Sequence, residues 1–273
     1  MLNSLKQSFK ITNKYIILAT PLIFFSLLSS LYILFSAGGN IFSQTCAIAL
    51  FIMMLTAFLS GWLYMIKLCI NNSENEDPNT LIKEFPAGVG EYFLPVLGMV
   101  FNIIIISIIF FTGTYFIGMK LIGHVGISSA SVNEILSSTE AMKNFMATLT
   151  NEQLIKLNNW SMLLMGTIIL EYFVLMFQFP TLFYKCNNPY KSFYISLKDL
   201  FSKKFLKNIL LFFLLFFSYF ILSILSTILG ANIITHFIIT LINFYYLVFI
   251  AVLIFNYYYT NYVKIGGIID KQI

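Results

Sequence analysis

The sequence predicts an all-α polytopic membrane protein of six transmembrane helices, with amphipathic interfacial helices and a parallel internal repeat. Three observations lead there. Of 273 residues, 59% are hydrophobic and 10% are charged, against about 25% charged in an ordinary soluble domain. Sixteen Lys and 11 acidic side chains are too few to cover the surface of a soluble fold, and 30 Phe with 16 Tyr exclude a solvated disordered chain. Second, six apolar runs reach the roughly 20 residues a spanning helix needs. Third, residues 4–41 align without a gap to residues 196–233.

The predicted spans are 15–35, 41–66, 92–117, 160–183, 209–229 and 233–259. Their length and continuity favour helices over barrel strands, which would alternate over about ten residues. The first run follows Lys6, Lys10 and Lys14, as a secretory signal follows its basic region. Its length of about 21 residues exceeds the 7–15 of a signal core, so it is read as a retained span. All 273 residues are read as a single membrane domain.

Lysine sorting orients the spans. Lys6, Lys10 and Lys14 precede span one, Lys67 and Lys83 lie between spans two and three, and Lys264 and Lys271 follow span six. Lys185, Lys191, Lys198, Lys203, Lys204 and Lys207 lie between spans four and five. These thirteen share one side, while Lys120, Lys143 and Lys156 lie on the other. The pattern predicts the cell (inner or plasma) membrane with both termini cytoplasmic. Every basic residue is Lys. Without the guanidinium fork suited to phosphate, no nucleic-acid partner is expected.

In the repeat, Ser4-Leu5-Lys6 matches Ser196-Leu197-Lys198, Gly38 matches Gly230, and Asn40-Ile41 matches Asn232-Ile233. Each copy reads as a basic interfacial helix, a span out, a tight turn and a span back. Around the second copy, residues 185–208 are predicted as a cytoplasmic basic amphipathic helix. Phe193, Leu197, Leu200, Phe201 and Leu206 form its apolar side, and Lys191, Lys198, Lys203, Lys204 and Lys207 meet lipid headgroups.

Residues 71–91 read as a loop in which Glu74, Glu76 and Asp77 are solvated, with a short amphipathic piece at 81–85 that Pro86 ends. The outer link, 123–159, carries two capping boxes, at 131–134 and 150–153, which predict helices near 132–149 and 151–159. His124 and His236 read as interface histidines. Cys46, Cys69 and Cys186 read as reduced thiols, and no metal site or cofactor is expected. Pro21, Pro95 and Pro180 are candidate kinks. Tyr257, Tyr258, Tyr259 and Tyr262 read as an aromatic belt.

Glu171 stands near the middle of span four, where a carboxylate is costly and is a functional candidate by default. Asn102, Asn243 and Gln178 are its candidate partners by depth. Two readings stand: a hydrogen-bond clamp between helices, or a substrate or proton pathway.

The pattern resembles a superfamily of six-span prokaryotic integral membrane proteins of unknown function. It is also similar to the membrane domain of some glycerophosphoryl diester phosphodiesterases. The residues that carry this are the SLK-x-x-F lead-in at 4–9, DPNTLIKEFPAGVGEYF at 77–93, and NPYKSFYISLKDLFSKKFLKNILL at 188–211. The last is similar to the P-x-x-S/A-x-x-x-S lead-in of those domains. The resemblance implies a fold and a location, without a reaction.

No nucleotide loop and no nucleophile–base grouping is present, so an enzyme is not expected. The leading expectation is an integral membrane accessory or scaffold protein. Its partners would be the lipid bilayer and a membrane-protein partner or second copies of itself. The alternative is a small-molecule, ion or lipid transporter that uses Glu171.

Overall fold

The computed structural model describes residues 2–36, 41–71, 78–126, 140, 145, 147–229 and 232–264. Among them there are helices and turns and no strand. Six helical segments are long and apolar enough to cross a membrane: Ile16–Leu34, Ile41–Asn71, Ile82–Leu121, Asn151–Tyr184, Phe205–Ile228 and Ile234–Val263. The chain is a multi-pass, all-α membrane protein.

Three helices open the chain: α1 (Leu2–Lys14), α2 (Ala19–Ser36, after a 3-10 turn at Ile16–Leu18) and α3 (Ile41–Asn71). Next come α4 (Pro78–Leu81) and, after a 3-10 turn at Ile82–Glu84, the long α5 (Phe85–Leu121). The fourth span is split into α6 (Asn151–Leu175) and α7 (Gln178–Tyr184). The chain continues through α8 (Pro189–Leu200), α9 (Phe205–Leu229) and α10 (Ile233–Tyr258), then a π-helical turn at Tyr259–Val263.

The prolines act by position. Pro86 is the second residue of α5, where its missing N–H costs nothing, so it starts span three instead of ending the piece before it. Pro180 breaks span four at Met176–Phe177, because its ring excludes the carbonyl four residues earlier. Pro21 sits in the first turn of α2, and α5 continues through Pro95.

The capping box at 150–153 forms: Thr150 N–H donates to Gln153 Oε1 at 3.0 Å, and Gln153 N–H donates to Thr150 Oγ1 at 3.3 Å. It starts span four itself, since α6 runs unbroken from Asn151, so no separate helix exists at 151–159. The box at 131–134, most of the helix expected at 132–149, and Glu74, Glu76 and Asp77 lie outside the described residues.

At the offset of 192, some helix boundaries coincide and others do not. α3 and α10 begin 192 residues apart, at Ile41 and Ile233. α1 ends at Lys14, whereas α8 ends at Leu200, the partner of Ser8 at that offset. The basic helix expected over 185–208 is therefore α8 followed by a turn at 201–204, with Phe201 in the turn and Leu206 in α9.

Contacts divide the chain into two compact units: residues 1–103 with 174–273, and residues 104–173. In the first, α10 packs against α1, α2, α3, α7 and α9. Tyr15, Leu18, Met65, Tyr92, Met99 and Val252 are buried in its core. Trp62 Nε1 donates to the Leu18 carbonyl at 2.9 Å, serving the bend between α1 and α2. Much apolar surface faces outward, including Leu27, Leu34, Phe213 and Phe217, each at least 60% exposed. Acyl chains solvate such surface at no cost, so interhelical packing must come from shape and polar contacts.

That is how α1 is held. Ser4, Ser8 and Thr12 recur every four residues and are buried. Asn256 Nδ2 donates to Ser8 Oγ at 3.0 Å and to the Ser4 carbonyl at 3.3 Å. Tyr245 OH donates to Asn13 Oδ1 at 2.6 Å, so α1 runs antiparallel beside α10. Lys6, Lys10 and Lys14 lie on the opposite side of the helix and are exposed.

Candidate functional site

Within the unit 104–173, α5 and α6 form an antiparallel pair with a ladder of three contacts. Ser107 Oγ donates to Glu171 Oε1. One turn of α6 away, the Thr114 and Thr167 hydroxyls share a hydrogen bond of 2.6 Å. Nearest the connecting link, Gly118 lies against Trp160, whose Nε1 donates to the Gly123 carbonyl at 3.1 Å. The ladder positions are 107, 114 and 118 on α5 and 160, 167 and 171 on α6. Both sets follow i, i+7, i+11, one stripe of a helix. Gly123, at φ 77°, sits just after the helix in a conformation that suits glycine. Glu171 is only 9% exposed, and its carboxylate joins two helices.

A Cβ on Gly118 would lie 2.2 Å from the Trp160 ring. Gly118→Ala should therefore destabilise the protein by about 1–3 kcal/mol, read as a lower unfolding temperature in detergent. Adding Trp160→Leu should recover part of the loss.

The other three pathway candidates belong to the first unit. Asn102 is buried, and its Nδ2 donates to the Pro189 carbonyl at 3.1 Å, tying α5 to the start of α8. Gly98, one turn earlier, lies against the Pro189 ring. Gln178 opens α7 fully buried, with no hydrogen-bond partner for either side-chain atom. Asn243 is half-buried in α10.

The α8 lead-in has a clear local cause. Asn188 Oδ1 accepts from the N–H groups of Tyr190 and Lys191, both at 3.0 Å, with Pro189 as first helical residue. Ser192 and Ser196 turn their hydroxyls back onto the Pro189 and Phe193 carbonyls and are fully buried with Leu200. Lys191 and Lys198 are exposed, as are Lys203 and Lys207, while Lys204 is half-buried.

The densest polar cluster is one that reading the sequence passed over. Asp199 Oδ2 pairs with Lys185 Nζ at 2.8 Å and accepts from Tyr258 OH at 2.5 Å. Asn208, fully buried, donates to the Leu200 carbonyl at 2.8 Å and accepts from Tyr257 OH at 3.0 Å and Tyr262 OH at 2.9 Å. Lys204 Nζ donates to the Asn261 carbonyl at 2.5 Å and lies 5.0 Å from the Tyr262 ring centre. Burial pushes the Lys204 ammonium below its usual pKa range, and Lys207 adds to that. Phe177, at the break in span four, is buried among Tyr257, Tyr258 and Tyr262.

The aromatic-belt expectation fails for Tyr257 and Tyr258, which are 1% and 0% exposed. Their hydroxyls find fixed partners inside the bundle, so the rings are core side chains with a polar tip. Asp199, the single acid among the six lysines of 184–208, and Asn256, alone in an apolar run, were the available signals.

Cys46 is exposed, Cys69 buried and Cys186 half-buried, and none is in a disulfide. Among the described residues, no three His, Cys, Asp or Glu side chains converge as a metal site would require. Fold and cluster define an integral membrane protein whose helices are joined by polar side chains. The chain matches no family model, no curated protein and no solved structure.

Proposed function

We propose that the protein is an integral membrane accessory or scaffold protein of the plasma (inner) membrane, with both termini cytoplasmic. The observation that supports the activity reading is the use of Glu171. The acid at bilayer depth accepts a hydrogen bond from Ser107 and so ties α5 to α6, next to the Thr114–Thr167 bond. Polar side chains between membrane helices commonly serve association. The thirteen lysines on one side support the orientation. The transporter alternative draws its support from Gln178, a buried amide without a partner.

The test is flux in vesicles loaded with a pH-sensitive dye, under an imposed potassium diffusion potential. Wild-type protein should match protein-free vesicles. Glu171→Gln keeps an acceptor oxygen for Ser107 and should retain the unfolding temperature, whereas Glu171→Leu should lose about 1 kcal/mol. Proton flux present in wild type and abolished by Glu171→Gln would overturn the scaffold reading. Reporters fused at Lys203 and Glu140 should read cytoplasmic and extracytoplasmic, respectively.

A further inference from the structure

The corner between α8 and α9 interleaves lysines with outward apolar side chains. Phe201 is 59% and Leu206 79% exposed, and Lys203 and Lys207 are exposed between and beside them. The corner is held from behind. Asn208 takes the Leu200 carbonyl, the Ser202 and Tyr262 hydroxyls lie 3.4 Å apart, and Lys204 is anchored on the Asn261 carbonyl. Along α8, Tyr190, Lys191, Tyr194 and Lys198 continue the exposed basic and aromatic face.

Charge at this corner is unbalanced. Asp199 is the one acid in 184–208, and it is taken by Lys185 and the Tyr258 hydroxyl. Nothing else in that segment carries negative charge to match Lys203 and Lys207. The Lys204 ammonium is disfavoured by its burial and by Lys207, which outweigh the favourable charge of Asp199, and a further anion beside it acts in the same sense as Asp199. A small free anion would use the ammonium groups and leave the exposed apolar surface of Phe201 and Leu206 uncovered. A phospholipid supplies an anionic head and an acyl chain on one molecule, which is the combination this surface matches.

We propose that the α8–α9 corner binds an acidic phospholipid, its phosphate held by Lys203, Lys204 and Lys207 and its acyl chain laid against Phe201 and Leu206. The proposal goes beyond the scaffold reading and does not depend on it, since neither Glu171 nor a protein partner enters it.

The full chain in a neutral detergent is titrated with phosphatidylglycerol, with phosphatidylcholine and with inorganic phosphate, and its unfolding temperature is followed. Phosphatidylglycerol should raise it to a plateau, with a midpoint that moves to higher lipid as salt increases. Phosphatidylcholine and inorganic phosphate should not raise it. Lys203→Gln with Lys207→Gln should unfold like wild type without lipid and need about fivefold more phosphatidylglycerol per lysine removed. Phe201→Ser keeps the charges. It should weaken the lipid response and leave its salt dependence in place. Equal stabilisation by phosphatidylcholine, a shift reproduced by phosphate alone, or an unchanged phosphatidylglycerol midpoint in the lysine variant overturns the site. A Phe201→Ser variant indistinguishable from wild type overturns the acyl contact. If the lysine pair alters the unfolding temperature without lipid, the comparison is made with Lys207→Gln alone, judged by the same midpoint.

Discussion

Asn208→Ala is expected to lower the stability of the protein by on the order of 3 kcal/mol, measured as unfolding temperature and monodisperse yield in detergent. The side chain is fully buried and joins three segments: the end of α8 through the Leu200 carbonyl, α10 through Tyr257, and the turn after it through Tyr262. Alanine removes all of these bonds and leaves the Tyr257 hydroxyl, 1% exposed, without its acceptor. An orphaned buried polar group costs about 1–3 kcal/mol, more than the bond itself contributes. Combining Asn208→Ala with Tyr257→Phe should therefore recover about 1 kcal/mol, because the orphan is gone. An Asn208→Ala protein within about 0.5 kcal/mol of wild type would show that this junction does not hold α8.

The second large effect is expected at Asp199. Its carboxylate binds Lys185 at 2.8 Å and Tyr258 OH at 2.5 Å. Asp199→Ala leaves the Lys185 ammonium beside the rings of Tyr258 and Tyr262, at 5.3 Å and 5.7 Å, with no carboxylate to balance it. Breaking a buried pair from one side costs about 3–5 kcal/mol. The two side chains are 26% and 15% exposed, and water reaching them reduces the loss to about 2–3 kcal/mol. Lys185→Met should cost less, because its hydrocarbon stem still packs and the Asp199 carboxylate keeps the Tyr258 hydroxyl as a donor. The double variant should be more stable than Asp199→Ala alone. Additive losses in that cycle would mean the two groups do not act as a pair.

These two residues mark where the sequence becomes hard to read. Lys185 and Asp199 lie 14 positions apart, and Tyr258 is another 59 away. No periodicity links them, and composition shows only one acid among lysines. Glu171 was legible because its cost depends on depth alone, and depth follows from counting residues along an apolar run. Its acceptor role toward Ser107 was not legible, because 64 positions separate them. The stripes 107, 114, 118 and 160, 167, 171 share a spacing that becomes meaningful once two helices are known to pack antiparallel. Depth alone pairs Asn102 with Glu171, whereas its amide serves the start of α8 at Pro189. Pro86 is ambiguous in sequence for a different reason, since proline ends a helix from within and starts one from its first turn.

By itself the sequence determined the class, the number of spans and the sorting of lysines. Each depends on one residue's free energy in lipid or at the headgroups, a sum along the chain that needs no partner. The tertiary structure decided what the polar residues do. It set Glu171 against Ser107, placed Ser4 and Ser8 beneath Asn256, and drew Tyr257 and Tyr258 from an expected belt into the core. It also put a bend at residues 201–204 between α8 and α9, where Asn208 takes the last carbonyls of α8. The reason is that a hydrogen bond is a property of two groups. In lipid, where burial of apolar surface no longer distinguishes one packing from another, such pairs select the arrangement.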